Sequence, residues 1–113
     1  MTTIYHNPRC STSRKALDYL RERGIEPEII RYLDTPPSVA ELSRLLDVAG
    51  LRPHDAVRTR EAEYKDLGLG PDTPDDELLA AMVAHPRLIQ RPIVVTDKGV
   101  RITRPLETID EIL

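Results

Sequence analysis

The run His6-Asn7-Pro8-Arg9-Cys10-Ser11-Thr12-Ser13-Arg14 holds the only cysteine of the chain among basic and hydroxyl side chains. Thr3-Ile4-Tyr5 is β-prone and should stop at Asn7-Pro8, because the Pro8 ring removes a backbone donor and disfavours helix at Asn7. Ser11, Thr12 and Ser13 are helix-capping types, and Ala16, Leu17, Tyr19 and Leu20 follow at helical spacing as far as Gly24. The sulfur is therefore expected in a strand-to-helix loop. There, amide donors and the positive end of the helix dipole lower a thiol pKa and favour the nucleophilic thiolate. His6, Arg9 and Arg14 would add positive or donor groups. Asn7, Ser11, Thr12 and Ser13 with free backbone amides would cradle an oxyanion. By type alone, a lone cysteine is more often a small buried apolar group than a nucleophile. Its neighbours here decide otherwise, since Pro8 is the one apolar residue within three positions of Cys10.

Near-miss motifs narrow the chemistry. Cys10-Ser11-Thr12-Ser13 is a C-x-x-C redox motif with serine in the second place, so thiol exchange cannot be completed within the chain and needs an external reductant. A Cys-x5-Arg phosphatase loop would need arginine where Ala16 stands, and no Gly-x4-Gly-Lys phosphate loop occurs. One cysteine and three scattered histidines offer no ligand set of zinc spacing, so no metal is expected. Thirteen of the 16 basic residues are arginine, the side chain whose paired donors suit tetrahedral oxyanions, although most surface arginines are simply solvated. Arg91-Pro92 and Arg104-Pro105 stand out at the ends of two strand-like runs, and such X-Pro bonds are candidates for the cis form.

The chain that must position these groups has 113 residues with 16 basic and 19 acidic side chains, a formal charge of −3. That length fits one domain, 1–113. Leu, Ile and Val make 30 of the 113 residues, with no Phe and no Trp, so an aliphatic core is expected. The charge balance gives no field for a polyanion backbone, which excludes nucleic acid as the main partner. No apolar run approaches the roughly 18 residues that cross a bilayer, and residues 1–10 lack the apolar core of a secretory signal. No membrane association and a cytoplasmic location are expected.

After the first strand and helix, Glu28 to Tyr32 reads as a second strand, completing a β-α-β unit of the kind that makes a parallel crossover. Ser38-Val39-Ala40-Glu41 is a capping box opening a helix along Val39, Leu42, Leu45 and Leu46. A short helix is expected within 58–67, and another from Thr73-Pro74 through Leu78, Leu79, Met82 and Val83. From Pro92 the period changes to two. Ile93 to Thr96, the turn Asp97-Lys98-Gly99 and Val100 to Thr103 read as a hairpin, and Leu106 to Leu113 as a last helix. The order is that of an α/β fold with a mixed four-stranded sheet flanked by helices. A helical insertion at about 38–86 separates its β-α-β and β-β-α parts, which is compatible with a thioredoxin-like fold.

Several segments resemble the glutaredoxin-coupled arsenate reductases of the thioredoxin-like superfamily, and the likeness spans essentially the whole chain. They are the Ile4-Tyr5-His6-Asn7-Pro8-Arg9-Cys10 opening with Thr12, Ser13 and Arg14, then Tyr32-Leu33 with Thr35-Pro36-Pro37, Glu63 to Leu69, His85-Pro86, Arg91 to Thr96, and Arg104-Pro105. The resemblance implies that Cys10 is the nucleophile, that His6 promotes its thiolate, and that Arg58, Arg91 and Arg104 bind the oxyanion. It also implies arsenate as substrate, glutathione as co-substrate, glutaredoxin as reductant, and no tightly bound cofactor. Well-known members have a small residue before the cysteine and Gly after it, where this chain has Arg9 and Ser11. That departure motivates the alternatives of a regulatory or binding module on the same frame, or a thiol transferase without arsenate turnover.

Overall fold

Three short apolar stretches and one more polar edge strand build the sheet in this computed structural model, which describes residues 1–113. The chain divides into two compact units, one formed by Met1–Thr35 with Arg91–Leu113 and the other by Pro36–Gln90.

The first unit holds β1 (Thr3–Tyr5), α1 (Ser11–Glu22), β2 (Glu28–Ile30), β3 (Ile93–Thr96) and β4 (Gly99–Ile102) in the sheet order β2-β1-β3-β4. β1 pairs parallel with β2, with Ile4 opposite Ile29, and antiparallel with β3, with Ile4 opposite Val94. β3 and β4 form the expected hairpin. The sheet is thus the expected mixed, four-stranded one. α1 buries Ser13, Ala16, Leu17 and Leu20, one stripe at i, i+3, i+4 and i+7. With Ile4, Val94, Ile109 and Ile112, the three apolar members of that stripe form the core of the unit.

Two local expectations are corrected here. The second strand ends at Ile30, and Tyr32 lies in the turn that follows, where Asp34 N and Thr35 N both donate to Arg31 O at 2.9 Å. The last helix is a 3₁₀ helix over Leu106–Ile112. Leu106, Ile109 and Ile112 recur every three residues and all face the core, so three residues per turn aligns them as an α-helix would not. Arg91-Pro92 and Arg104-Pro105 are both cis.

The second unit is helical, as expected of this region, with α2 (Val39–Ala49), α3 (Pro53–Ala56), α4 (Ala62–Asp66), α5 (Asp75–Ala84) and a 3₁₀ turn at Pro86–Leu88. Ser38 caps α2, its Oγ accepting from Glu41 N at 3.1 Å, and Gly50 closes the helix in the left-handed region with φ 73°. α3 was not anticipated, since four residues carry no periodicity. The helix expected at 58–67 is confined to Ala62–Asp66 because residues 57–58 are drawn into extended pairing. Val57 bridges Ile89, and Arg58 N donates to Leu88 O at 2.7 Å.

Candidate active site

The sheet topology decides which loops can meet. β1 and β2 are parallel, so the segments after them, residues 6–10 and 31–35, leave from the same end of the sheet. β3 runs the other way, so its entry at 91–92 and the exit of β4 at 103–105 reach that end too. Thr103 N donates to Pro92 O at 3.0 Å and Arg104 Nε to Arg91 O at 2.7 Å, tying the last two segments together. The carboxyl ends of parallel strands are where open α/β sheets generally hold their ligands.

Cys10 sits here as the N-cap of α1, in extended conformation and with no side-chain cap. Its own N–H is committed to Asn7 O at 3.0 Å, while its carbonyl accepts from Arg14 N at 3.0 Å. Burial by itself pushes the thiol pKa up. The Ser13 N–H, the Arg91 guanidinium and the Thr12 N–H outweigh it, and the net shift is downward from the ordinary value. Arg104 adds an Nη2 at 3.9 Å from Sγ. The sulfur is half-buried, and it therefore faces amide donors on the helix side and two guanidiniums on the hairpin side. That arrangement stabilises a thiolate and the negative charge of an anion brought to it.

The loop that presents Cys10 is braced from within. Asn7 Oδ1 accepts from Arg9 N at 3.0 Å, and the Arg14 guanidinium donates to Pro8 O at 2.9 Å. Beside it opens a cavity of about 220 Å³ walled in part by Pro8, Arg9, Arg31 and Asp34.

Residues 5–112 of this sequence match the model of the ArsC family. The chain belongs to the ArsC family. An arsenate reductase of Rhizobium meliloti (strain 1021) is 49% identical over 112 residues, 98% of this chain and 80% of the relative. An arsenate reductase of Neisseria meningitidis serogroup B is 46% identical, covering 97% of this chain and 96% of the relative. The solved structure of an arsenate reductase from Vibrio cholerae is 48% identical and superposes with a TM-score of 0.94, covering 99% of this chain and 97% of that one. The four-stranded frame is thus the thioredoxin-like one of the ArsC arsenate reductases, which are oxidoreductases.

Against this ArsC-family frame, the site residues read from sequence separate into groups. Cys10, Arg91 and Arg104 come together. Arg58 lies in the helical unit, where its guanidinium pairs with Glu61 at 2.6 Å and Glu61 also faces Arg87 at 3.9 Å. Arg9 is exposed, with its backbone rather than its guanidinium tied into the loop, and Ser11 is exposed on the first turn of α1.

Ser13 and His6 need correction. The Ser13 side chain is fully buried rather than turned toward an anion, and its Oγ accepts from Asn7 N at 3.0 Å and lies 2.7 Å from His6 Nδ1. Only the backbone N–H of Ser13 faces the sulfur, so its hydroxyl neither caps α1 nor cradles a ligand. His6 is buried, and that burial, followed by the charges of Arg21, Arg31 and Arg14, lowers its pKa. At neutral pH it is a neutral hydrogen-bonding partner of Ser13, not a cation beside the thiolate.

Sequence reasoning missed Tyr32. It is 1% exposed, and its hydroxyl has no hydrogen bond of good geometry, nor does the buried Nε of Arg91. Burial first and the nearby Cys10 thiolate push the phenol pKa up to about 12, against the opposing pull of Arg91 and Asn7. A buried polar group left unpaired costs about 1–3 kcal/mol, so two of them around one sulfur call for a functional explanation. The signals available were its place in the Tyr32-Leu33 segment that carries the family resemblance, and its position near the end of a parallel strand, where open sheets hold ligands.

Proposed function

We propose that the chain reduces arsenate to arsenite through a covalent Cys10–arsenic adduct. The observation that carries this reading is the Cys10 thiolate held at the start of α1 with the Arg91 and Arg104 guanidiniums beside it, in a chain of the ArsC family. The thiolate attacks arsenic, a sulfur–arsenic bond forms, and one arsenate oxygen leaves as water after taking up protons. Arg91 and Arg104 offset the charge on the remaining oxygens, the preorganised role that a water-poor site rewards most.

With a single cysteine the chain has no resolving thiol, so the two electrons come from outside. Glutathione attacks arsenic and displaces a second oxygen as water. Glutaredoxin then takes the glutathionyl sulfur as a mixed disulfide, breaking the sulfur–arsenic bond to glutathione, and water cleaves the remaining bond to Cys10. Both electrons pass to arsenic, which leaves Cys10 as arsenite. The overall exchange converts two thiols to a disulfide, reduces arsenic by two electrons and releases one water. This chemistry needs neither a metal nor a tightly bound cofactor, and reducing thiols of this kind place it in the cytoplasm. We assign Arg58 as a third arginine for the anion, the role that the family resemblance implies; Asn7, Arg9, Ser11, Thr12 and Arg14 shape the loop around it.

The test is arsenate-dependent NADPH oxidation with glutathione, glutathione reductase and glutaredoxin. The wild type should turn over, Cys10→Ser should not, and Arg58→Ala should raise the KM for arsenate. A wild-type rate equal to background at all arsenate concentrations would reject the reading.

A further inference from the structure

Tyr32 Oη and Arg91 Nε are both buried with no hydrogen bond of good geometry, and only one of them is charged. Asn7 and Arg91 approach the phenol, and the Cys10 thiolate is near enough to act on it. Tyr32 begins the turn after β2, and that turn shares the sheet end with the Cys10 loop, where His6 N donates to Ile30 O at 2.8 Å. Asn7, at the base of the loop, has its Oδ1 taken by Arg9 N and its N–H taken by Ser13 Oγ. The neighbours of the Tyr32 hydroxyl are therefore already committed or are themselves donors.

We propose that Tyr32 is a substrate-contacting residue, its hydroxyl donating a hydrogen bond to one oxygen of the tetrahedral oxyanion engaged by Cys10. This extends the proposed arsenate reduction and rests on the same site. Arg91 and Arg104 supply charge, which any anion can use. The phenol supplies a neutral, directional donor, which favours an oxygen placed where a tetrahedral centre bonded to Sγ would carry it. Because its pKa is pushed up to about 12, the phenol is protonated at neutral pH and presents no second negative charge to the oxyanion there. No proton transfer is assigned to it. Its role is to hold the anion.

Tyr32→Phe keeps the ring and removes only the hydroxyl. The variant should melt at or above the wild-type temperature, since an unpaired polar atom leaves a buried position. Its kcat/KM for arsenate should fall about 100-fold, the scale of losing one donor to an oxyanion. Iodoacetamide alkylation of Cys10 should keep its wild-type midpoint pH. Inorganic phosphate, a tetrahedral oxyanion that is not reduced, should protect Cys10 from alkylation with an apparent Kd about tenfold weaker in the variant.

Phosphate protection equal to wild type overturns the proposal whatever the rate does. So does a midpoint shift large enough to account for the lost rate, or a variant that fails to fold, because either would place the hydroxyl's work on the thiol or on the core. Absence of phosphate protection in the wild type also overturns it. If the wild type shows no arsenate turnover yet phosphate protection weakens in Tyr32→Phe, arsenate reduction fails as the function while the Tyr32 contact stands.

Discussion

At the scale of single residues, the two arginines beside Cys10 do different work. Arg91 lowers the thiol pKa both by its hydrogen bond and by its charge, whereas Arg104 reaches the sulfur only at 3.9 Å. The alkylation midpoint of Cys10 is therefore expected below that of a free cysteine. Arg91→Ala should raise it more than Arg104→Ala, and equal midpoints in the two variants would contradict this ranking. The sign for stability follows from the same shift. The folded state favours the thiolate, so the stability it contributes is complete above the ordinary thiol pKa and is lost as pH falls through the lowered one. The melting advantage of the wild type over Cys10→Ser should shrink along that descent, and a pH-independent difference would count against an activated thiol. This chemistry was legible in the sequence because it is local: Cys10 lies where a strand breaks at Pro8 and a helix begins. The state of His6 was not legible, because its lowered pKa arises from burial and from Arg21 and Arg31, charges that the fold rather than the loop brings near.

At the scale of elements, Ser13 carries more of the Cys10 loop than its place on α1 implies. Its hydroxyl satisfies His6 Nδ1 and Asn7 N in a buried position, and Ser13→Ala would leave both groups unpaired. A loss of about 1–3 kcal/mol in urea unfolding is expected, together with slower Cys10 alkylation as the loop loosens. Ser38→Ala, which removes the cap of α2, should cost about 0.5–2 kcal/mol. It should leave the alkylation midpoint unchanged, because nothing in that cap touches the sulfur. Long periodic elements such as α1, α2 and the hairpin could be read from apolar spacing alone. One failure was set by pairing, the other by a three-residue repeat taken for an α-helical one. Residues 57–58 bridge to 88–89 and shorten a helix, and the closing segment becomes 3₁₀ because its three core residues repeat every third position.

At the scale of the whole molecule, one thiol means that any disulfide it forms must be shared with another molecule. Treatment with diamide and glutathione should give a single glutathionyl adduct by intact mass, reversed by thiol reductant and absent in Cys10→Ser. A second adduct or an internal disulfide would be incompatible with the sequence. The site itself is a product of topology, since its four segments converge because β2 runs with β1 and β3 runs against it. That convergence is why Tyr32 escaped a reading made one segment at a time. It also bears on how the site would respond to movement. Arg91 and Arg104 hang from the base of one hairpin and are latched to each other by the Arg104 Nε bond to the Arg91 carbonyl. Any motion that pulled the hairpin from the loop would withdraw both positive charges at once. The thiol would then lose its guanidinium support in a single step rather than by halves, with only the Ser13 and Thr12 N–H groups left to hold its charge.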